Sequence, residues 1–238
     1  MIKAYVVDIG NTTIKAALFQ KGGPKAHIRI SHDELALLED FLGKNPETPV
    51  IISSTAALSV EVPASSLAHR KVLRLDQKTS IPLKMDYERS TLGLDRLANA
   101  VAGNSLNPEA SLVIDAGTCI TYDYTLAGVY MGGNISPGWD MRLNAMHHFT
   151  GRLPQLEKAK ELEAMGKNTS QAMRAGAHRG LHFEVSSIIT EFESRYPQGS
   201  VYITGGDGPY LAERIENVIF AAPFLTLKGL YEILLYTS

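Results

Sequence analysis

The chain has 238 residues, a formal net charge of −2, and 45% hydrophobic against 20% charged residues, a balance that supports a packed core and argues against extended disorder. Near-neutrality argues against nucleic acid as a partner held by bulk electrostatics, and a single cysteine, Cys119, excludes an internal disulfide framework and an all-cysteine zinc site. The length fits one large domain or two of about 100 residues each.

Residues 4–9 read as a buried strand in which Asp8 interrupts the apolar run too early for a signal peptide. The longest apolar stretch, 218–227, is about ten residues long and contains Pro223, too short for a bilayer. A soluble, cytoplasmic protein without a membrane partner is expected. After Asp8 come the turn Gly10-Asn11-Thr12-Thr13, a second strand over 14–19, a turn over 21–24 and a third strand over 28–30. Ser31, with Glu34 three residues on, reads as a capping box opening a helix whose Leu35, Leu38, Phe41 and Leu42 recur at helical spacing. Residues 50–54 read as a parallel strand and 92–104 as a helix with one apolar face, before Asn107-Pro108 breaks the chain.

The second half opens as the first does. Residues 111–121 repeat the pattern of 4–13: an apolar strand, an acid at its end (Asp115 for Asp8), a glycine turn, hydroxyl residues, and a second strand, here 120–124. Two such units a domain-length apart predict a duplicated α/β fold with halves 1–106 and 107–238. A strand over 129–134 leads to the turn 136–138, and 157–163 reads as a solvated helix face. A long helix spans 169–196, ended by Pro197-Gln198-Gly199. Its Met173, Ala177, Leu181, Val185, Ile188, Ile189 and Phe192 form one apolar stripe, which either packs inside its own half or faces a partner. A strand over 201–204 then enters Gly205-Gly206-Asp207-Gly208, followed by helices around 210–215 and 225–236.

The chemistry sits at the turns. A glycine turn lets backbone N–H groups approach an anion. Around Asp8, Asn11, Thr12 and Thr13 can add hydrogen bonds, Lys15 a point charge, and the carboxylate a cation ligand; a plain hairpin turn is the alternative. With Asp115-Ala116-Gly117-Thr118 as a second copy, the pair can clamp a polyphosphate and its cations. No G-x-x-x-x-G-K loop and no G-x-G-x-x-G after a strand is present, so Walker and Rossmann sites lack support. In Gly93-Leu94-Asp95-Arg96, at a helix start, the carboxylate can accept a proton from a substrate hydroxyl and the guanidinium can grip an anion; helix capping is the alternative. Gly205 to Gly208 can face a base or ribose, or form an ordinary strand-to-helix turn. His178 and His182 lie four apart on one helix, but Arg179 stands where a H-E-x-x-H zinc site needs a carboxylate. Cys119 reads as a small core residue rather than a nucleophile.

Taken in order, Asp8-Ile9-Gly10-Asn11-Thr12, Gly93-Leu94-Asp95-Arg96, Asp115-Ala116-Gly117-Thr118 and Gly133-Asn134-Ile135-Ser136-Pro137-Gly138 resemble the motifs of type III pantothenate kinases. The resemblance implies an actin-like fold of two ribonuclease H-like halves with a cleft between them, and ATP-dependent phosphorylation of pantothenate, the first step of coenzyme A synthesis. It implies a homodimer that uses a divalent cation such as Mg2+ and a monovalent one, K+ or NH4+. Residue by residue it makes the segment from Asp8 to Lys15, including Gly10, Asn11, Thr12 and Thr13, an ATP phosphate loop, with Asp8 on the divalent cation, directly or through water. Asp95 becomes the general base and Gly93, Leu94 and Arg96 the substrate segment, with Arg96 on the carboxylate of pantothenate. Tyr87 lines the substrate pocket, Asp115 binds the monovalent cation, Thr118 contacts ATP, and Thr169 reaches the substrate of the second subunit. The segment Glu88-Arg89 stands where the family often has Asn-Pro. A kinase for another small alcohol, or an ATP-binding transcription accessory factor of the same fold, remains an alternative.

Overall fold

In the computed structural model, which describes residues 2–20, 23–56, 60–159, 164–215 and 219–238, the first half runs β1 (Ala4–Ile9), β2 (Ile14–Gln20), β3 (Gly23–Ile30), α1 (Leu35–Gly43), β4 (Val50–Ser54), α2 (Ala64–Leu67), β5 (Val72–Arg74), β6 (Lys84–Met85), a 3-10 turn (Arg89–Thr91) and α3 (Leu94–Leu106). The second runs β7 (Ala110–Ala116), β8 (Cys119–Leu126), β9 (Val129–Pro137), α4 (Trp139–His148), α5 (Thr169–Arg195), β10 (Ser200–Thr204), α6 (Gly208–Ala212), β11 (Ile219–Ala221) and α7 (Leu225–Thr237).

The duplication read from the sequence is present in the topology. One sheet has the order β3-β2-β1-β4-β5, and the other β11-β10-β7-β8-β9-β6. Read from its far side, and leaving out β6, the second sheet repeats the first: third, second, first, fourth and fifth strand of each half. In both, the first and fourth strands pair in parallel, as do the fourth and fifth. This is the duplicated ribonuclease H-like plan.

By contact the chain forms two compact units, Met1–Pro108 with Thr125–Met131 and Phe224–Ser238, and Glu109–Tyr124 with Gly132–Pro223. The grouping differs from the halves drawn on the sequence, because α7, from the end of the chain, belongs to the first unit. Side-chain alternation along β1 explains that unit's two cores. Ala4 and Val6 face a cluster that includes Leu97 and Val101 of α3 and Leu230 and Leu234 of α7. Tyr5, Val7 and Ile9 face one that includes Leu38, Phe41 and Leu42 of α1.

The contact between α3 and α7 depends on one glycine. A Cβ at Gly229 would lie 1.8 Å from the Ala98 carbonyl oxygen and 2.5 Å from its carbon, so the helices touch backbone to backbone. Gly229→Ala must separate them, at a cost of about 1–3 kcal/mol or more. For a chain of this length each kcal/mol corresponds to roughly 2–4 °C in Tm. Thermal unfolding checks this, and an unchanged Tm would mean that the helices part without penalty.

In the second unit α5 buries Met173, Ala177, Leu181, Val185, Ile189 and Phe192, none more than 5% exposed, while Ile188 is half-buried. The stripe is therefore satisfied inside the chain and is not a surface for a partner.

Other expectations are corrected. The helix expected from Ser31 starts at Leu35; Glu34 accepts from the Ser31 amide (2.9 Å) and hydroxyl (2.7 Å), and these bonds close a non-helical turn before it. The strand ending at 134 continues to Pro137, absorbing part of the expected turn. The helix expected over 210–215 is Gly208–Ala212, begun two residues earlier, with Pro209 in its first turn, where a missing N–H costs no helical hydrogen bond. Residues 153–159 have no regular secondary structure, contrary to the helix face expected over 157–163; 160–163, Lys21 and Gly22 lie outside the described residues. Cys119 is half-buried rather than part of the core. Five of the described elements, α2, α4, β5, β6 and β11, had no sequence expectation, and α2 is a single turn of four residues. The strands β5, β6 and β11 are two or three residues long, and α4 buries only Trp139 and Leu143, too few to mark a period.

Candidate active site

In the first unit Asp8 ends β1, only 7% exposed. Alternation puts it on the face of Ala4 and Val6, the face that α3 and α7 cover. Lys15 is its cross-strand neighbour on β2 and Ser53 its neighbour on β4. The intervening loop is closed by the Gly10 amide donating to the Thr13 carbonyl at 3.1 Å. Asn11 and Thr12 are exposed at its tip, and Nε2 of His32 lies 2.9 Å from the Gly10 carbonyl, which only a protonated Nε2 can bond. The loop thus presents polar groups at the carboxyl end of a central strand, where open α/β sheets bind ligands.

Gly93 caps α3, accepting from the Leu97 amide at 3.0 Å. Oδ1 of Asp95, in the first turn of α3, accepts from the Arg96 amide at 2.8 Å. The carboxylate lies over Gly93, where a Cβ would sit 2.6 Å from Oδ1; any other residue at 93 would push it aside. Leu94 packs on the core. The Arg96 side chain turns inward, only 6% exposed, and Nη2 donates to the Tyr130 hydroxyl at 3.1 Å. The Tyr87 ring stands edge-on to Tyr130, centroids 5.5 Å apart, and is itself 36% exposed. Arg96 and Tyr87 are thereby brought together through Tyr130, and Asp95 joins them only as the chain neighbour of Arg96. Sequence reasoning missed Tyr130, because its place beside Arg96 comes only from tertiary packing.

In the second unit Asp115 ends β7 beside Thr204 of β10. Three loops meet backbone to backbone around it. The Gly138 amide donates to the Thr118 carbonyl at 3.1 Å, and a Cβ on Gly138 would lie 2.2 Å from the Gly117 oxygen and 2.5 Å from that of Thr118. The Asp207 amide donates to the Ala116 carbonyl at 2.9 Å. Gly205 has φ +90°, and a Cβ there would lie 2.4 Å from the Ala116 oxygen and 2.5 Å from Oδ1 of Asp115. The motifs 115–118, 133–138 and 205–208, separate in sequence, are one structure. Thr118 is exposed at its edge, and Thr169, the first residue of α5, is exposed elsewhere on this unit.

Around these loops stand two charged groups. Nζ of Lys158 bridges Asp207 (2.7 Å) and Asp140 (2.9 Å). Glu184 of α5 accepts from Tyr122, Ser136 and Arg142. Burial pushes its carboxyl up, but the hydrogen bonds from Ser136, Arg142 and Tyr122 together outweigh it and hold the group below its ordinary value. The histidine pair belongs elsewhere. Nε2 of His178 is 3.0 Å from the Tyr210 hydroxyl, and its ring lies beside Trp139. Burial lowers its pKa, with the neighbouring His182 adding to the effect. Among the described residues no group of three or more His, Cys, Asp or Glu could hold a metal ion.

The fold and these acid-tipped loops define the class. The chain has the actin-like fold, in which sugar kinases are built. It superposes on a polyphosphate/ATP-glucomannokinase from an Arthrobacter species with a TM-score of 0.50 at 16% identity, covering 99% of this chain and 100% of that one. A Campylobacter jejuni protein described as a Baf-family transcriptional activator gives 0.62 at 22% identity, over 98% of both. In sequence, residues 5–191 match the family model of type III pantothenate kinase, and the type III pantothenate kinase of Phocaeicola vulgatus is 40% identical over 98% of both chains. The chain belongs to the type III pantothenate kinase family.

Proposed function

We propose that this protein transfers the γ-phosphoryl group of ATP to the hydroxyl of pantothenate, forming 4'-phosphopantothenate, in the cytoplasm. The observation that carries the reading is the start of α3, where the Asp95 carboxylate accepts from the Arg96 amide and the buried Arg96 guanidinium donates to Tyr130, whose ring meets that of Tyr87. Pantothenate has the two groups that this pair recognises, a hydroxyl to be deprotonated and a carboxylate to be gripped.

The roles follow from the chemistry. Asp95 accepts the hydroxyl proton as the acceptor oxygen closes on phosphorus. Arg96, with Gly93 and Leu94, orients the substrate, and Tyr87 excludes water from one side. The loop from Asp8 to Lys15, with Gly10, Asn11, Thr12 and Thr13, and Thr118 of the second unit bind the triphosphate. In such transfers positioning and charge neutralisation dominate.

The acidic strand ends suit the cations that accompany ATP. Mg2+ favours one or two carboxylates and completes its shell with phosphate oxygens and water, which matches a lone Asp8. Asp115 lies in a loop that offers hard carbonyl oxygens, a donor set for K+ or NH4+. These cations would neutralise phosphate charge near the loops. Activity is expected to require potassium or ammonium and to fall in sodium, since a carboxylate beside a polyphosphate is repulsive without a cation between them. Equal rates in matched sodium and potassium chloride would remove this role from Asp115.

The protein acts as a homodimer in which Thr169, exposed at the start of α5, reaches the pantothenate bound by its neighbour. Among the described residues no helix is long and apolar enough to cross a membrane, in keeping with a cytoplasmic site of action. A coupled ADP-release assay over pantothenate and a panel of neutral sugars and small alcohols tests the function. Turnover with a neutral alcohol, and none with pantothenate, would overturn it.

A further inference from the structure

One carboxylate in the middle of α5 ties three other elements together. Oε1 of Glu184 accepts from the Tyr122 hydroxyl of β8 at 2.7 Å and from the Ser136 hydroxyl at the end of β9, and Oε2 accepts from Nη2 of Arg142 on α4 at 2.5 Å. Arg142 closes the circuit, since its Nε donates to the Pro137 carbonyl at 2.8 Å. Ser136 and Pro137 are thus held from two sides. The next residue, Gly138, is the one pressed against the carbonyls of Gly117 and Thr118. Contact that close transmits displacement, because packed backbone has no slack to absorb it.

We infer that Glu184 is a positioning residue for the loop 115–118: with Arg142 and Ser136 it holds the turn 136–138, which holds Gly117 and Thr118 in the geometry that binds ATP. The inference rests on the proposed function only in taking 115–118 as a nucleotide loop. Glu184 itself touches no substrate. Its side chain and that of Arg142 are 28% and 20% exposed, so loss of one partner leaves the other charge poorly compensated.

The test uses the full chain. Glu184→Gln keeps the size and an oxygen for Tyr122 and Ser136, but turns a donor toward Arg142. Arg142→Lys keeps the charge and removes the planar fork that reaches both Glu184 and Pro137. Steady-state kinetics are measured with ATP and pantothenate varied separately, alongside direct binding of a fluorescent ATP analogue and thermal unfolding. Both variants are expected to raise KM for ATP and Kd for the analogue by about 10–100-fold, with KM for pantothenate unchanged. A purely structural role would lower Tm and the active fraction while both KM values and the analogue Kd stayed at parent values, and that result overturns the inference. If neither variant folds, Tyr122→Phe, which removes one hydrogen bond from the same carboxylate, is judged by the same split, and an unchanged KM for ATP overturns it. A parent chain that binds the analogue but does not phosphorylate pantothenate would sink the proposed function and leave the binding measurement to decide Glu184.

Discussion

Asp95→Asn is expected to lower kcat by about 10²–10⁴-fold, the range for one general base, while nucleotide affinity and Tm stay near those of the parent protein. The amide has the size of the carboxylate and can still accept the Arg96 N–H bond, now made by Oδ1 at 2.8 Å. It can also lie over Gly93 as the carboxylate does. What it cannot do is take a proton from a hydroxyl. The expected signature is therefore a loss confined to kcat, because an interaction used only in the transition state leaves ground-state binding alone. Near-normal turnover in the folded variant would remove Asp95 from the chemistry. A loss of nucleotide binding in parallel would show that Asp95 serves the structure instead.

Gly205→Ala is expected to damage both stability and the Asp115 loop. At φ +90° a side chain is strained by about 1–2 kcal/mol. The new methyl group would also meet the Ala116 carbonyl and the Asp115 carboxylate at about 2.5 Å, and relieving that overlap costs about 1–3 kcal/mol more. At roughly 2–4 °C per kcal/mol, Tm should drop by about 5–15 °C. The carboxylate can escape only by rotating out of the loop, so the surviving folded enzyme should need more potassium for half-maximal activity. Thermal unfolding and a potassium titration measure the two effects. A stable variant with an unaltered potassium requirement would show that Asp115 and Gly205 are not packed as described.

Features that depend on neighbours in the chain are legible without the tertiary structure. The acids at the ends of β1 and β7 are legible because an apolar strand, a carboxylate and a glycine turn follow one another within a few residues, and the repeat of that unit predicted the duplicated sheet. Gly93 to Arg96 was legible for the same reason, as were α3, α5 and α7, whose apolar periods are long. Tertiary structure decided what no local pattern encodes. It placed Tyr130 on Arg96 across 34 positions of sequence, and it joined 115–118, 133–138 and 205–208 through backbone contacts that only glycines permit. It gathered Tyr122, Ser136 and Arg142 on Glu184, a residue that reads in sequence as one more charge on a long helix. It also settled the α5 stripe. Helical period tells that such a face must be buried, whereas what buries it depends on the shape of the rest of the chain, and here the chain itself buries it.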